Sequence, residues 1–291
     1  MGHIRNLSYI VIEVADVEEW TRFAVDMVGM KVGRKTDTTC ILRMDQYAAR
    51  IILKSGPSND IEAMGWEVSD NKSLEDFVAR AAQRGLTIGE SPRERVVERQ
   101  VSGMYECTDP NGVRQEFVYG PPLADGCDPY LPTVVQGGFR TGRHGMGHIL
   151  LWGRNYAQMI DFYQRKLDLG LSGHMSPEGG FEITFLHSAG RAFHSVAIAD
   201  HPVERCLGHI GIEVNLLKDV GYAYDRAARL GVPIAATLGH HPNAKTTSFY
   251  MDAPGGFEVE IGWGEIELPE EWRARRYLEY SDWGHHRSAG L

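Results

Sequence analysis

Apolar and polar positions repeat one order four times along this chain: a short apolar run that reads as a strand, an amphipathic stretch that reads as a helix, and a glycine followed by an apolar residue. The closing pairs are Gly29-Met30, Gly85-Leu86, Gly170-Leu171 and Gly231-Val232. Glycine suits the left-handed conformation that ends a helix, so each pair marks a helix stop. Alternating segments follow each helix and read as further strands, for instance residues 246–251 and 257–263. The expectation is an α+β protein of four βαβββ modules, paired into two domains, each a curled open β-barrel with its helices outside. The Pro- and Gly-rich stretch 120–138 supplies the boundary, giving an N-terminal domain over 1–133 and a C-terminal domain over 134–291.

The repeat also sorts the chemistry. Counting back from the four glycines by 20, 22, 22 and 22 residues reaches Tyr9, Ala63, His148 and His209. Module ends agree: Asp109-Pro110-Asn111-Gly112 precedes a strand with Glu116, and Ala253-Pro254-Gly255-Gly256 precedes one with Glu260. In both, the glutamate follows the last glycine by four residues. The first half thus offers Tyr9, Ala63 and Glu116 where the second offers His148, His209 and Glu260. Tyr and Ala supply no imidazole, so the first half reads as a scaffold without metal and Glu116 as a solvated carboxylate. Two histidines and a carboxylate suit a non-haem iron(II) centre with open coordination positions. Of the twelve histidines, only His3 precedes Arg143, which places the chemistry in the second half.

Bulk properties narrow the setting. A formal charge of −9 gives no reason to expect nucleic acid or an anionic membrane as partner. No apolar run approaches the roughly 20 residues of a spanning helix. The start Met-Gly-His-Ile-Arg-Asn-Leu lacks the pattern of a secretory signal, and Asn6 disfavours myristoylation. Cys40, Cys107, Cys127 and Cys206 show no metal-type spacing and read as reduced thiols, so the expected compartment is the cytoplasm.

One motif is more specific. Gly239-His240-His241, Phe249-Tyr250, Ala253-Pro254, Gly256 and Glu260 resemble the signature of the type I extradiol ring-cleavage dioxygenases of the vicinal-oxygen-chelate superfamily. Within that family the chain is most similar to the enzymes that act on two-ring catechols such as 2,3-dihydroxybiphenyl. The likeness runs from Leu7-Ser8-Tyr9 to Ser281-Asp282-Trp283-Gly284-His285. It implies that His148, His209 and Glu260 hold iron(II), with manganese(II) as the alternative ion. It also implies that His194 is an acid–base group, that His241 and Tyr250 hydrogen-bond the catechol oxygens, and that Asn243 lines the same wall. A catechol and O2 would be the substrates, a yellow 2-hydroxy-6-oxo-dienoate the product, aromatic-compound catabolism the setting and a homo-oligomer the assembly. Dihydroxynaphthalene, trihydroxybiphenyl and a catecholic secosteroid are alternative substrates. A glyoxalase-type metal lyase or isomerase and a metal-free binding module are alternative classes. Two residues depart from the family pattern: Phe193 stands where a second histidine is common, and Ala244 where an aspartate is common. The second departure leaves His241 without an evident carboxylate partner. His285 is expected near the site in a C-terminal lid.

Overall fold

The structure is a computed structural model that describes residues 3–287. Its first module comprises β1 (Asn6–Val14), α1 (Val17–Arg22) with a π-helical continuation over Phe23–Val28, β2 (Lys31–Lys35), β3 (Thr39–Arg43) and β4 (Ile51–Ser55). The second comprises β5 (Asp60–Glu67), α2 (Asn71–Gln83), β6 (Gly89–Glu90), α3 (Arg93–Arg99), β7 (Gly103–Thr108) and β8 (Arg114–Tyr119). The third has β9 (His148–Trp152), α4 (Tyr156–Ile160) with a π-helical continuation over Asp161–Lys166, β10 (Gly170–Met175), β11 (Ile183–His187) and β12 (Val196–Ala199). The fourth has β13 (Leu207–Glu213), α5 (Leu217–Leu230), β14 (Ile234–His240), β15 (Thr247–Asp252) and β16 (Glu258–Trp263), and β17 (Arg275–Tyr277) and β18 (Trp283–Gly284) follow. The expected βαβββ order is present four times, with α3 as an addition to the second module.

Each pair of modules builds one open sheet. The orders are β2-β3-β4-β1-β5-β8-β7-β6 and β17-β10-β11-β12-β9-β13-β16-β15-β14-β18. The modules join at an antiparallel pair of first strands, β1 with β5 and β9 with β13. Each first strand is flanked in parallel by its own module's last strand.

Local sequence explains the helix ends. Asp16 and Asp70 cap α1 and α2 by accepting from the backbone N–H of Glu19 and Ser73. Gly29, Gly85 and Gly231 all take positive φ just past their helices, as the sequence predicts. Gly170 does not. The third helix stops earlier, Asp168 takes the left-handed conformation at φ 64°, and Gly170 already begins β10. Aspartate tolerates that region through its short polar side chain, and here its carboxylate also pairs with Arg84 at 3.0 Å.

Strand alternation then divides the two faces. Ile149 and Leu151 of β9, Ile210 and Ile212 of β13, and Val259 and Ile261 of β16 enter one large core shared by both halves. Their neighbours His148, His209 and Glu260 consequently point to the opposite, inner face. The shared core is bridged by named contacts. Trp20 stacks on Phe257 at 5.4 Å. Arg226 Nε donates to the Met27 carbonyl at 2.8 Å, and Tyr163 donates to Asp109 at 2.7 Å while accepting from Gln115. Burying one such large side chain stabilises by about 1.5–3 kcal/mol. The inner face of the second sheet carries a separate apolar cluster that includes Leu150, Met175, Phe185, Phe193, Ala197 and Ala244. Among the described residues no helix is long and apolar enough to cross a membrane, and the four cysteines are free thiols.

Candidate metal centre

Sheet register brings the two ends of the donor set together. His148 of β9, Gly211 of β13 and Glu260 of β16 stand in one row across three neighbouring strands. His209 lies two residues before Gly211, on the same face. Gly211 is what lets the row work: a Cβ there would overlap the His148 ring, which lies across the bare backbone toward Glu260. The three donors are mutually close. His148 Nε2 is 3.2 Å from His209 Nε2 and 3.2 Å from Glu260 Oε2, and His209 Nε2 is 3.6 Å from the same oxygen.

That geometry fits a metal ion. Three donors each about 2.1 Å from one ion stand about 3.0–3.4 Å apart, depending on whether their angles are octahedral or tetrahedral. Glu260 is 3% exposed. Burial alone would raise its pKa, but contacts with His148 and His241 outweigh this and hold the carboxyl well below the usual range. Burial keeps His209 neutral at ordinary pH, as a metal ligand must be.

Around this set the wall is ordered by hydrogen bonds. His241 Nδ1 lies 2.7 Å from the Tyr280 carbonyl, which can only accept, so Nδ1 carries the proton. The opposite nitrogen, Nε2, lies 2.8 Å from the Tyr250 hydroxyl and 3.5 Å from Glu260 Oε1. The tautomer that Ala244 left open is fixed by a backbone carbonyl from the C-terminal segment. The same segment supplies His285, whose ring stacks on His241 at 4.3 Å and donates through Nε2 to the Ser248 carbonyl. The expected lid residue is in place. Asn243 is buried in the turn between β14 and β15, and its side-chain oxygen has no hydrogen-bond partner among the described residues. A buried orphan acceptor of this kind marks a place where a ligand or water completes the bonding.

His194 packs directly on the donor set. Its ring centroid is 3.9 Å from that of His148 and 5.2 Å, edge-on, from that of Phe185. Burial first, and His148 second, bring its pKa down to about 4, with Glu265 opposing. Glu265 Oε1 accepts from the His194 backbone N–H at 3.1 Å and lies 3.3 Å from Nδ1, without hydrogen-bond alignment to the ring. The sequence reading passed over Glu265, although a charged residue just past the glycine that follows β16 was a usable signal.

The first half holds a matching row with a different filling. Tyr9, Gly65 and Glu116 occupy the positions of His148, Gly211 and Glu260, and Ala63 occupies that of His209. A Cβ on Gly65 would overlap the Tyr9 ring, as one on Gly211 would overlap His148. Glu116 is not the solvated carboxylate expected from sequence, because it is fully buried. It accepts from Tyr9 at 2.6 Å, from Arg99 at 2.8 and 3.1 Å, and from Arg114 at 2.8 Å. A guanidinium from α3 explains the difference, and nothing in the local sequence around Glu116 announces it.

Fold and donor set together define a metal-dependent enzyme class, and comparison with known proteins agrees. Residues 145–261 match the Glyoxalase/Bleomycin resistance protein/Dioxygenase superfamily, and residues 7–56 match the family Dihydroxybiphenyl dioxygenase BphC D1. Biphenyl-2,3-diol 1,2-dioxygenase of Pseudomonas sp. is 33% identical, with 97% of each chain covered. 3-Methylcatechol 2,3-dioxygenase of Pseudomonas putida is 35% identical over 97% of each chain, and an iron-dependent extradiol dioxygenase of Rhodococcus jostii is 31% identical over 99% of each. A crystal structure of catechol 2,3-dioxygenase superposes with a TM-score of 0.91 at 28% identity, covering 99% of this chain and 96% of the other. The chain belongs to the extradiol dioxygenases.

Proposed function

We propose that this enzyme opens the ring of a catechol with O2 beside the two hydroxyls, at an iron(II) held by His148, His209 and Glu260. The observation that carries this is the donor set itself: two imidazoles and a buried carboxylate mutually 3.2–3.6 Å apart on one face of the sheet. Manganese(II) suits the same donors. When bound, the metal lowers the pKa of a catechol hydroxyl and brings catechol and O2 onto one centre.

The chain's own side chains do the rest. Tyr250 and His241 form a hydrogen-bonded pair beside Glu260, and a catechol oxygen entering there meets the Tyr250 hydroxyl and the His241 ring. The Asn243 side-chain oxygen, buried in the turn that follows β14 and unpartnered among the described residues, adds a polar group on the same wall. His194, neutral at pH 7 with its pKa near 4, is able to accept a catechol proton and return it later. The imidazole packs against Phe185 and Phe193, members of the apolar cluster that also holds Leu150, Met175 and Ala197.

That cluster also favours a second ring on the substrate, so we assign 2,3-dihydroxybiphenyl, with a yellow 2-hydroxy-6-oxo-dienoate as product. Dihydroxynaphthalene, trihydroxybiphenyl and a catecholic secosteroid fit the same wall. In this reading residues 1–133 form a scaffold domain and 134–291 the catalytic one. The free thiols and negative charge suit the cytoplasm.

Oxygen uptake and yellow colour recorded together from iron-loaded protein test the reaction. Equimolar uptake is expected, with a KM for 2,3-dihydroxybiphenyl at least about tenfold below that for catechol, since a buried ring contributes more than 1.4 kcal/mol. No uptake from metal-replete protein would return the choice to a glyoxalase-type lyase. Equal KM values would remove the two-ring assignment.

A further inference from the structure

We infer that Glu265 is the positioning residue of His194: its carboxylate holds the imidazole as the Nδ1–H tautomer and leaves Nε2 as the proton-accepting atom. The inference rests on the assignment of His194 as the proton carrier, and adds how that role is set.

Glu265 Oε1 meets two atoms of one residue. It accepts from the His194 backbone N–H at 3.1 Å and stands 3.3 Å from Nδ1 of the ring. The faces of the ring are otherwise occupied by His148 and the aromatic edges of Phe185 and Phe193. Among the described residues, Nδ1 has no hydrogen-bond partner. Rotation of an imidazole about its second side-chain torsion is soft, so a modest turn aligns Nδ1–H with Oε1. Such bonds are commonly loose before substrate arrives and tighten afterwards.

The carboxylate is itself fixed in place, which separates it from a mobile surface acid. The Glu265 backbone N–H donates to Glu213 Oε1 at 2.7 Å. Arg140 Nη1 donates to both Glu213 oxygens, at 3.0 and 2.9 Å, and to the Glu265 carbonyl at 2.6 Å. Arg140, Glu213, Glu265, His194 and His148 line one small cavity behind the donor set. An arginine thus holds a glutamate, that glutamate holds the backbone of a second, and the second faces the imidazole. A carboxylate on the far nitrogen of a working histidine fixes its tautomer and stabilises the imidazolium formed in passing.

The test uses the full chain with Glu265→Leu, Glu265→Gln, His194→Phe and the double variant Glu265→Leu/His194→Phe. Two-bond 1H–15N spectra of zinc-loaded protein read the His194 tautomer independently of turnover. Wild type is expected as Nδ1–H, and Glu265→Leu as Nε2–H or a mixture. With iron loaded, Glu265→Leu should lose about 10–100-fold in kcat, while metal content and anaerobic catechol Kd stay within about twofold. Glu265→Gln, which keeps an acceptor oxygen, should lose less. Glu265→Leu should add no loss on top of His194→Phe, because two residues acting as one unit are not additive. An unchanged tautomer in Glu265→Leu, or the same fractional loss of kcat in the His194→Phe background, would overturn the inference. Wild-type turnover by His194→Phe would sink the proton-carrier assignment instead, and the spectra would still decide the positioning. Should Glu265→Leu fail to fold, Glu265→Asp withdraws the carboxylate by one methylene and carries the same two readouts.

Discussion

Glu116 and Glu260 occupy the same place in two copies of one scaffold and are neutralised in opposite ways. Each is buried at the end of a row that crosses a bare glycine, and each needs compensation, because an uncompensated buried carboxylate is costly. Around Glu116 the compensation is permanent: two guanidinium groups and a phenol saturate both oxygens. Around Glu260 the neighbours are imidazoles: burial opposes a charged ring, but Glu260 raises the pKa of His148, so the balancing charge is a proton that a metal ion can displace. Position in the fold therefore does not make a metal centre; the identity of the row's other members does. Arg99 belongs to α3, the element of the second module that has no counterpart in the fourth. The added helix packs Val96 against the inner apolar cluster of the first sheet and delivers the Arg99 guanidinium to Glu116.

The largest effect should come from removing each carboxylate in turn. Glu260→Ala should abolish metal retention and lower oxygen uptake by about 1000-fold or more. Glu116→Ala should keep metal and kcat but lose about 1–3 kcal/mol of stability, because Arg99, Arg114 and Tyr9 lose a buried acceptor while Glu98 and Glu62 still pair with the two guanidinium groups. Metal analysis and urea unfolding on both variants decide it, and metal loss in Glu116→Ala would break the comparison.

Next in size are the two row glycines. Gly211→Ala drives a methyl into the His148 ring and should weaken metal affinity about 10–100-fold, read by competition with a chelator. Gly65→Ala meets the Tyr9 ring and should cost about 1–3 kcal/mol of stability with metal content unchanged.

The smallest difference lies in acid. Burial alone would raise the pKa of Glu116, but hydrogen bonds and charge from Arg99, together with Tyr9 and Arg114, outweigh it and hold the pKa below the usual carboxylate value. A depressed folded-state pKa adds stability that is fully present above the unfolded value, near ~4.3, and is lost as pH falls through the folded one. Wild type should thus lose stability more steeply than Glu116→Gln below about pH 5. Unfolding curves at matched ionic strength would show it, and parallel pH slopes would refute the ion-pair account.

What the sequence made legible was periodic or side-chain-borne. His148, His209 and Glu260 emerged because the modules repeat at near-constant spacing and alternation fixes the face each residue meets. The glycine stop failed once, at Gly170, because Asp168 was able to do the same work two residues earlier. Gly65 and Gly211 escaped notice since their importance depends on which ring crosses them, a matter of register between strands far apart in sequence. The partners of Glu116 come from β1, from α3 and from its own strand, and only tertiary placement brings the first two to it. The acceptor that fixes His241 is the Tyr280 carbonyl, and a backbone atom leaves no trace in residue type. Glu265 was visible as a letter, but its meaning required knowing that the turn after β16 folds back over His194.

The shared core carries a consequence for how such a chain can change over time. Trp20 of the first module lies on Phe257 of the fourth, and Asp109 and Gln115 of the second bind Tyr163 of the third. A repeated half that made no contact with its partner half would be free to drift. Here α1, β8 and the turn before β8 pack directly on the other half, so that packing constrains them whatever the inner face carries. Loss of the first half would leave the second with an open, apolar back.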